Sequence, residues 1–459
     1  MKKVYFILAF ISLQLLNVNN SFSQNSINNR FGSWGDQGNG TYINPVLNAD
    51  YSDPDVIRVN NDFYMVCSEF HFMGIPILHS KDLVNWTIIG RLYDEFKFDP
   101  KYDTNEKYAE GSWAPSISYH DKKFRVYFCT PKEGLFMTSA ERPEGPWAPL
   151  IQVVQISGWE DPCPFWDENG QAYLGHSRVG AGPIIIHKLS ADGKKLLDDG
   201  VTVYTGPVAE GTKIYKLNGY YYLSIPEGGV GTGWQTILRS KNIFGPYEKK
   251  VVLETGLTGI NGPHLSAPQT SDEFNDQSLS FQWSWNHNPV REAWSLSSNP
   301  GFLALNGLPA GNFLKAKNTL TQKIMGDEGE ATTLLLTTEM GNGQKAGLCV
   351  MGKQYNLIGI EKVNGKLTLF VNINGKNSTQ TFRSSKVYLK VKVTTKEGGN
   401  QFFYSTDNKT FQPSGDTFSA SNGYWKGPKT GLFSYNETGE GGKALFNWFH
   451  YLYYGPKSE

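Results

Sequence analysis

The chain has 459 residues, and its 43 Lys plus Arg are balanced by 43 Asp plus Glu. That neutrality excludes the broad basic field that gathers nucleic acid or anionic lipid, and it favours an uncharged ligand. Aromatic residues make up 14% of the chain beside 49 glycines, which predicts many short strands and tight turns. The four cysteines are too few for a metal cluster or a disulfide framework, and buried free thiols are expected.

Lys2 and Lys3 precede an apolar run from Val4 to about Leu16 and the small-residue stretch Ser21-Phe22-Ser23. This is the pattern of a secretory signal, residues 1–23, cut after Ser23, and it predicts a periplasmic or secreted protein. No later stretch approaches the roughly 18 apolar residues needed to span a bilayer, so no membrane insertion is expected. Residues 24–40 read as a polar lead-in segment.

From residue 41 to 268 the chain repeats one program. A head containing Asp-Pro, Trp-Ala-Pro or Glu-Gly is followed by an apolar strand, a turn, an aromatic strand, a third strand and a closing turn. Heads occur at Asp53, Trp113, Asp161, Glu210 and His264, at intervals of 60, 48, 49 and 54 residues. Units of that length, without room for crossover helices, predict blades of a β-propeller. Residues at the same phase of successive blades converge on the central axis, so Asp53, Asp161 and Glu210 should meet at one mouth.

Three converging carboxylates suit hydrolysis of a glycosidic bond. Inversion needs a protonated acid at the leaving oxygen, and a base on the opposite face about 6.5–9.5 Å away to activate water. A further carboxylate near the acid keeps it protonated by like-charge repulsion. The Pro after Asp53 and after Asp161 predicts an extended conformation for each Asp. Candidate substrate contacts are Phe70, Trp113, Trp159, Trp234, Glu227 and His264; Glu69 and Phe165 are further polar and apolar candidates. No cofactor is needed for this chemistry.

"NPVLNADYSDPDVIRV", "GSWAPSISYH", "WEDPCPFWDENGQAYLGHS", "VAEGTKIYKLNGYYYLSIPEGG" and "NGPH" together resemble glycoside hydrolase family 43, in its arabinofuranosidase and xylosidase branch. The resemblance implies an all-β chain with a five-bladed propeller and a concanavalin-like β-sandwich behind it. It implies Asp53 as general base, Glu210 as general acid and Asp161 as the residue that raises the acid's pKa and orients it. His264 would match the family's channel histidine. The substrate class implied is plant hemicellulose, from which an exo-acting enzyme releases α-L-arabinofuranosyl or β-D-xylosyl units.

Past residue 269 the 50-residue period gives way to more than ten alternating strands without a helix, which predicts the sandwich over residues 269–459. The resemblance implies a structural calcium there, with Asp272, Glu273 and Asn447 as candidate ligands, although Asn447 offers a neutral oxygen where relatives place an Asp. After "NGPH" the sandwich begins within a few residues, so the fifth blade is expected to be truncated. The segment "RFGSWGDQGNGTYINP" or a sandwich loop would then have to cover the gap. Two functions fit this reading: a monomeric exo-glycosidase, or a carbohydrate-binding protein that lost turnover with its fifth blade. Arabinose and xylose preference are not distinguished.

Overall fold

The computed structural model describes residues 34–71, 73–104, 106–229, 233–254, 268–439 and 441–455. The proposed signal segment and His264 lie outside them. Four four-stranded antiparallel meanders follow in order. Blade 1 comprises Asp55–Val59, Asp62–Val66, Gly74–Ser80 and Thr87–Tyr93. Blade 2 comprises Trp113–His120, Lys123–Thr130, Gly134–Ala140 and Ile151–Gln155. Blade 3 comprises Trp159–Trp166, Ala172–Arg178, Ile184–Leu189 and Val201–Tyr204, and blade 4 comprises Lys213–Leu217, Tyr220–Glu227, Trp234–Ser240 and Glu248–Leu253.

Local chemistry sets these meanders. In blade 4 the hairpin turns through Asn218 and Gly219, at φ 52 and 77, the pair of left-handed residues that a two-residue turn between right-twisted strands requires. Alternate side chains then fill the spaces between blades. Ile117, Phe124 and Val126 of blade 2 meet Val66 and Ile77 of blade 1, and Tyr127 and Met137 meet Trp159 and Leu174 of blade 3. Ile214, Leu223 and Leu238 of blade 4 close on Cys163, Tyr173 and Ile186 of blade 3.

The fourth interface, between blades 4 and 1, is not built in this way. On blade 4, Tyr215, Leu217 and Val252 are 54%, 61% and 50% exposed. Blade 1 is covered instead by its own approach segment, since Val46, Leu47 and Tyr51 pack on Met65, Leu78 and Trp86. Among the described residues the ring is therefore a propeller of four complete blades, consistent with the shortened fifth expected from the sequence. The described part of the N-terminal segment, from Trp34 on, meets the sandwich and blade 1 rather than the exposed face of blade 4. Trp34 Nε1 donates to Tyr454 O (3.0 Å), and Asp36 accepts from Asn85 of blade 1 (2.9 Å).

The second half forms two packed sheets. One runs Ser284–Trp285, Thr319–Lys323, Lys429–Asn436, Gln344–Met351, Tyr355–Val363, Lys366–Ile373 and Lys376–Phe382, with Leu308–Pro309 pairing beside it. The other runs Trp294–Ser295, Leu303–Asn306, Lys443–Tyr453, Glu328–Leu336, Lys386–Thr394, Asn400–Ser405 and Gln412–Phe418. Glu328–Leu336 buries every second residue, the period-2 pattern of a sheet with one face in the core. All four cysteines are buried and free.

The sandwich braces blade 1. Arg91 donates to Trp283 O (3.0 Å) and Ser280 O (3.1 Å), and Asn288 exchanges two hydrogen bonds with the backbone of Phe96. Arg291 pairs with Glu95, which places it at this seam.

Candidate active site

The heads of the blades are built from strained turns. Asp53, Ala114 and Asp161 each precede a Pro, and all three have positive φ, 50, 37 and 54. The extended conformation expected for the two Asp residues is therefore not the one adopted. The backbone of blades 2 and 3 bulges here, between Trp113 and Ser116 and between Glu160 and Cys163. A bulge re-aims side chains at the start of a strand, and the left-handed conformation costs a non-glycine residue about 1–2 kcal/mol. In blade 4 the corresponding turn uses Val208 (φ 53) and Gly211 (φ 61).

These turns bring the three predicted carboxylates together and add a fourth. Asp161 Oδ2 accepts from Gly211 N (2.7 Å) in the next blade and from Ser177 Oγ (3.0 Å). Asp53 Oδ2 accepts from Ser68 Oγ (2.5 Å), whose oxygen in turn accepts from Ala114 N (2.7 Å) of blade 2. Asp161 and Asp53 are thus each fixed by the neighbouring blade as well as their own. Glu160, Asp161 and Glu210 present oxygen atoms that all lie within 4.8 Å of one another, close enough for a single cation to bridge them. Glu160 is the residue the sequence reading passed over. Its Oε1 accepts from Ala181 N (3.2 Å).

The electrostatics follow from this crowding. Burial, then the charges of Asp161 and Asp53, raise the pKa of Glu210. Burial and the charges of Asp161 and Glu210 push Glu160 up to about 7. Burial also raises Asp161, against the hydrogen bonds from Gly211 and Ser177. Asp53 as a residue is exposed at the mouth, on the blade beside the gap, while its carboxyl group is largely buried. Its pKa is raised by that burial and by Asp161, and lowered by Ser68 and Lys213. Lys213, 3.4 Å from Asp55, supplies positive charge beneath the group. It too escaped the sequence reading.

The predicted substrate contacts divide. Trp113 is partly exposed and meets the buried Phe70 edge-on at 5.9 Å, so one wall residue stands on the other. Trp159, expected at the mouth, is instead 5% exposed and stacks on His176 at 3.7 Å inside blade 3. Phe165 packs into the core between blades 3 and 4. Glu227 is also corrected: it is 1% exposed and is held by Tyr204 Oη (2.7 Å), Trp234 Nε1 (3.2 Å), Lys249 Nζ (2.9 Å) and Thr236. With its oxygens so engaged it buttresses blade 4, and Trp234 is oriented by it. Glu69 is buried against Lys429 of the sandwich (3.0 Å).

The sandwich residues proposed for calcium do not form a ligand set. Asp272 gives one oxygen to Phe274 N (2.8 Å) and the other to Trp283 Nε1 (2.8 Å). Glu273 pairs with His450 (2.6 Å), and Asn447 donates to Gly301 O (2.8 Å). Both oxygens of Asp272 are already engaged within the fold, and no grouping of these residues around a cation appears among the described residues.

Sequence comparison decides the family. The model of Glycosyl hydrolases family 43 matches residues 42–264, and that of the beta xylosidase C-terminal Concanavalin A-like domain matches residues 271–452. A putative beta-xylosidase of Xylanibacter ruminicola is 44% identical over 467 residues, covering 87% of this chain and 88% of its own. This chain belongs to glycosyl hydrolases family 43. A beta-xylosidase of Formosa agariphila is 32% identical, with 93% of each chain covered. The family 43 protein BlXynB of Bacillus licheniformis has the same fold, with a TM-score of 0.78 at 24% identity, covering 89% of this chain and 99% of that one. As a family 43 glycoside hydrolase, the chain carries its acidic cluster at the blade heads, where the propeller axis opens.

Proposed function

We propose that the protein is an inverting exo-glycosidase that releases β-D-xylosyl or α-L-arabinofuranosyl units from oligosaccharides of plant hemicellulose. The observation that carries this reading is the convergence of Asp53, Asp161 and Glu210 from three blade heads, with Glu210 held toward its protonated form. Glu210 gives its proton to the leaving oxygen as the glycosidic bond breaks. Asp53 takes a proton from the water that attacks the anomeric carbon from the opposite face. Asp161, fixed by Gly211 and Ser177, keeps the acid oriented and disfavours its ionisation.

The names of the relatives support xylose over arabinose as the released sugar. Residues 1–23 would export the chain to the periplasm or medium, where it works as a monomer. A bound cation such as calcium is not used in these steps; one bridging Glu160, Asp161 and Glu210 would compete with the proton on the acid. No helix of the described residues is long and apolar enough to cross a membrane.

The exposed Asp53 and the uncovered face of blade 4 favour a second reading, a binding protein without turnover. Purified protein assayed on aryl β-D-xyloside, aryl α-L-arabinofuranoside and arabinoxylan oligosaccharides separates the two. Release of a pentose from any of them supports the enzyme, and a folded protein inert on all three refutes it.

A further inference from the structure

The loop 421–427 leads into the sandwich strand Lys429–Asn436 and is tied to both halves of the molecule. On the sandwich side, Ser421 Oγ accepts from Gln354 N (2.9 Å) and Lys353 N donates to Asn422 O (2.9 Å). On the propeller side, Gly427 N donates to Asp50 Oδ2 (2.8 Å), and Lys426 Nζ lies 3.0 Å from His71 Nδ1. These anchors bracket the general base. Asp50 lies three residues before Asp53, and His71 three residues after Ser68, which holds Asp53.

Between the anchors stand Tyr424, 50% exposed, and Trp425, 72% exposed, the most exposed large apolar side chain among the described residues. Trp425 also has φ 59, which is disfavoured for a residue with a Cβ. Lys353 covers one face of Tyr424 at 5.0 Å, whereas no ring, cation or hydrogen bond partners the Trp425 indole among the described residues. A loop fastened at both ends that holds an indole in water and in a strained conformation points to a ligand for that indole.

We propose that Trp425 is a stacking platform for sugar rings on the leaving-group side of the scissile bond, beyond the ring next to it. The proposal rests on the exo-glycosidase reading. A chain whose terminal ring sits among the carboxylates must leave past the rim of the mouth, and this loop is fastened to the segment that carries Asp53. The flat apolar face of a sugar ring suits an indole, which offers a wide apolar surface at little cost in side-chain entropy. The sandwich would then supply the affinity for longer chains, while the propeller supplies the chemistry.

The test compares wild type, Trp425→Ala and Trp425→Phe on an aryl xyloside and on xylo-oligosaccharides of increasing length. For the longer oligosaccharides Trp425→Ala should raise KM about three- to tenfold, with kcat and the aryl xyloside KM unchanged, and Trp425→Phe should recover most of the loss. An unchanged KM on long substrates overturns the proposal. So does an equal loss on the aryl xyloside, which would mark a structural role. Should wild type cleave nothing, the glycosidase reading fails instead, and affinity electrophoresis through xylan decides the platform. Retardation of wild type that Trp425→Ala loses supports it, and identical mobility overturns it.

Discussion

Glu160 and Asp161 are neighbours in the chain, yet their carboxylates serve one cluster. Alternation along a strand would send them to opposite faces, and the bulge between Glu160 and Cys163 cancels that alternation. This is why the Asp-Pro phase exposed Asp161 to a sequence reading while Glu160 stayed hidden. Its environment makes two outcomes testable. The charge of Glu210 helps to raise Glu160, whereas burial, Asp161 and Asp53 raise Glu210, so Glu160→Gln should leave the alkaline limb of kcat/KM where it is. The same change should alter stability with a definite sign. A carboxyl raised from 4.5 to about 7 favours the fold only while protonated, and that advantage fades as pH rises through this range. Thermal unfolding should therefore show Glu160→Gln gaining on the order of 2 kcal/mol over wild type at pH 8 and nothing at pH 4. A third outcome concerns Glu210, the proposed acid. Glu210→Gln should lower kcat about 10²–10⁴-fold on xylo-oligosaccharides and less on aryl glycosides, whose leaving groups need no proton.

At the scale of elements, the working unit is a blade head fixed by the blade beside it. Ser68 shows the principle: it donates to Asp53 in blade 1 and accepts from Ala114 N at the head of blade 2. Losing that hydrogen bond should raise the pKa of Asp53, so Ser68→Ala should shift the acid limb of kcat/KM to higher pH and lower activity at pH 5. A pH profile that does not move would show that Asp53 is not the group setting that limb. The heads were legible because Asp-Pro, Trp-Ala-Pro and Glu-Gly recur at a steady period. Their conformation was not, since positive φ before Pro runs against the local preference and is stabilised only by contacts between blades. Trp159 and Glu227 misled for a related reason. Each stands close to a head or strand end, and only the packing against His176, or against Tyr204 and Lys249, shows that it faces inward.

For the whole molecule, the sequence foretold a propeller with a truncated blade and a sandwich behind it, because both periodicities and the point of change are written in the chain. How the gap is managed depends on long-range contacts that no local pattern encodes. The approach segment covers blade 1, the sandwich is fastened to it, and blade 4 keeps an apolar face in water. The seam depends on charge as well as shape. Glu69 is 4% exposed and is held ionised, despite burial, by Lys429, His71 and Lys323. Lys429→Met would leave that carboxylate without its main partner, and should cost about 3 kcal/mol in chemical unfolding.

In the proposed enzyme, four complete blades suffice to hold an inverting pair, Asp53 and Glu210. Proton NMR of the first sugar released tests it most directly, with xylobiose and an aryl α-L-arabinofuranoside as substrates. Whichever is cleaved should yield the inverted anomer first, α-xylose or β-arabinofuranose, before mutarotation. Release of the retained anomer first, or no release by a folded protein, would contradict it.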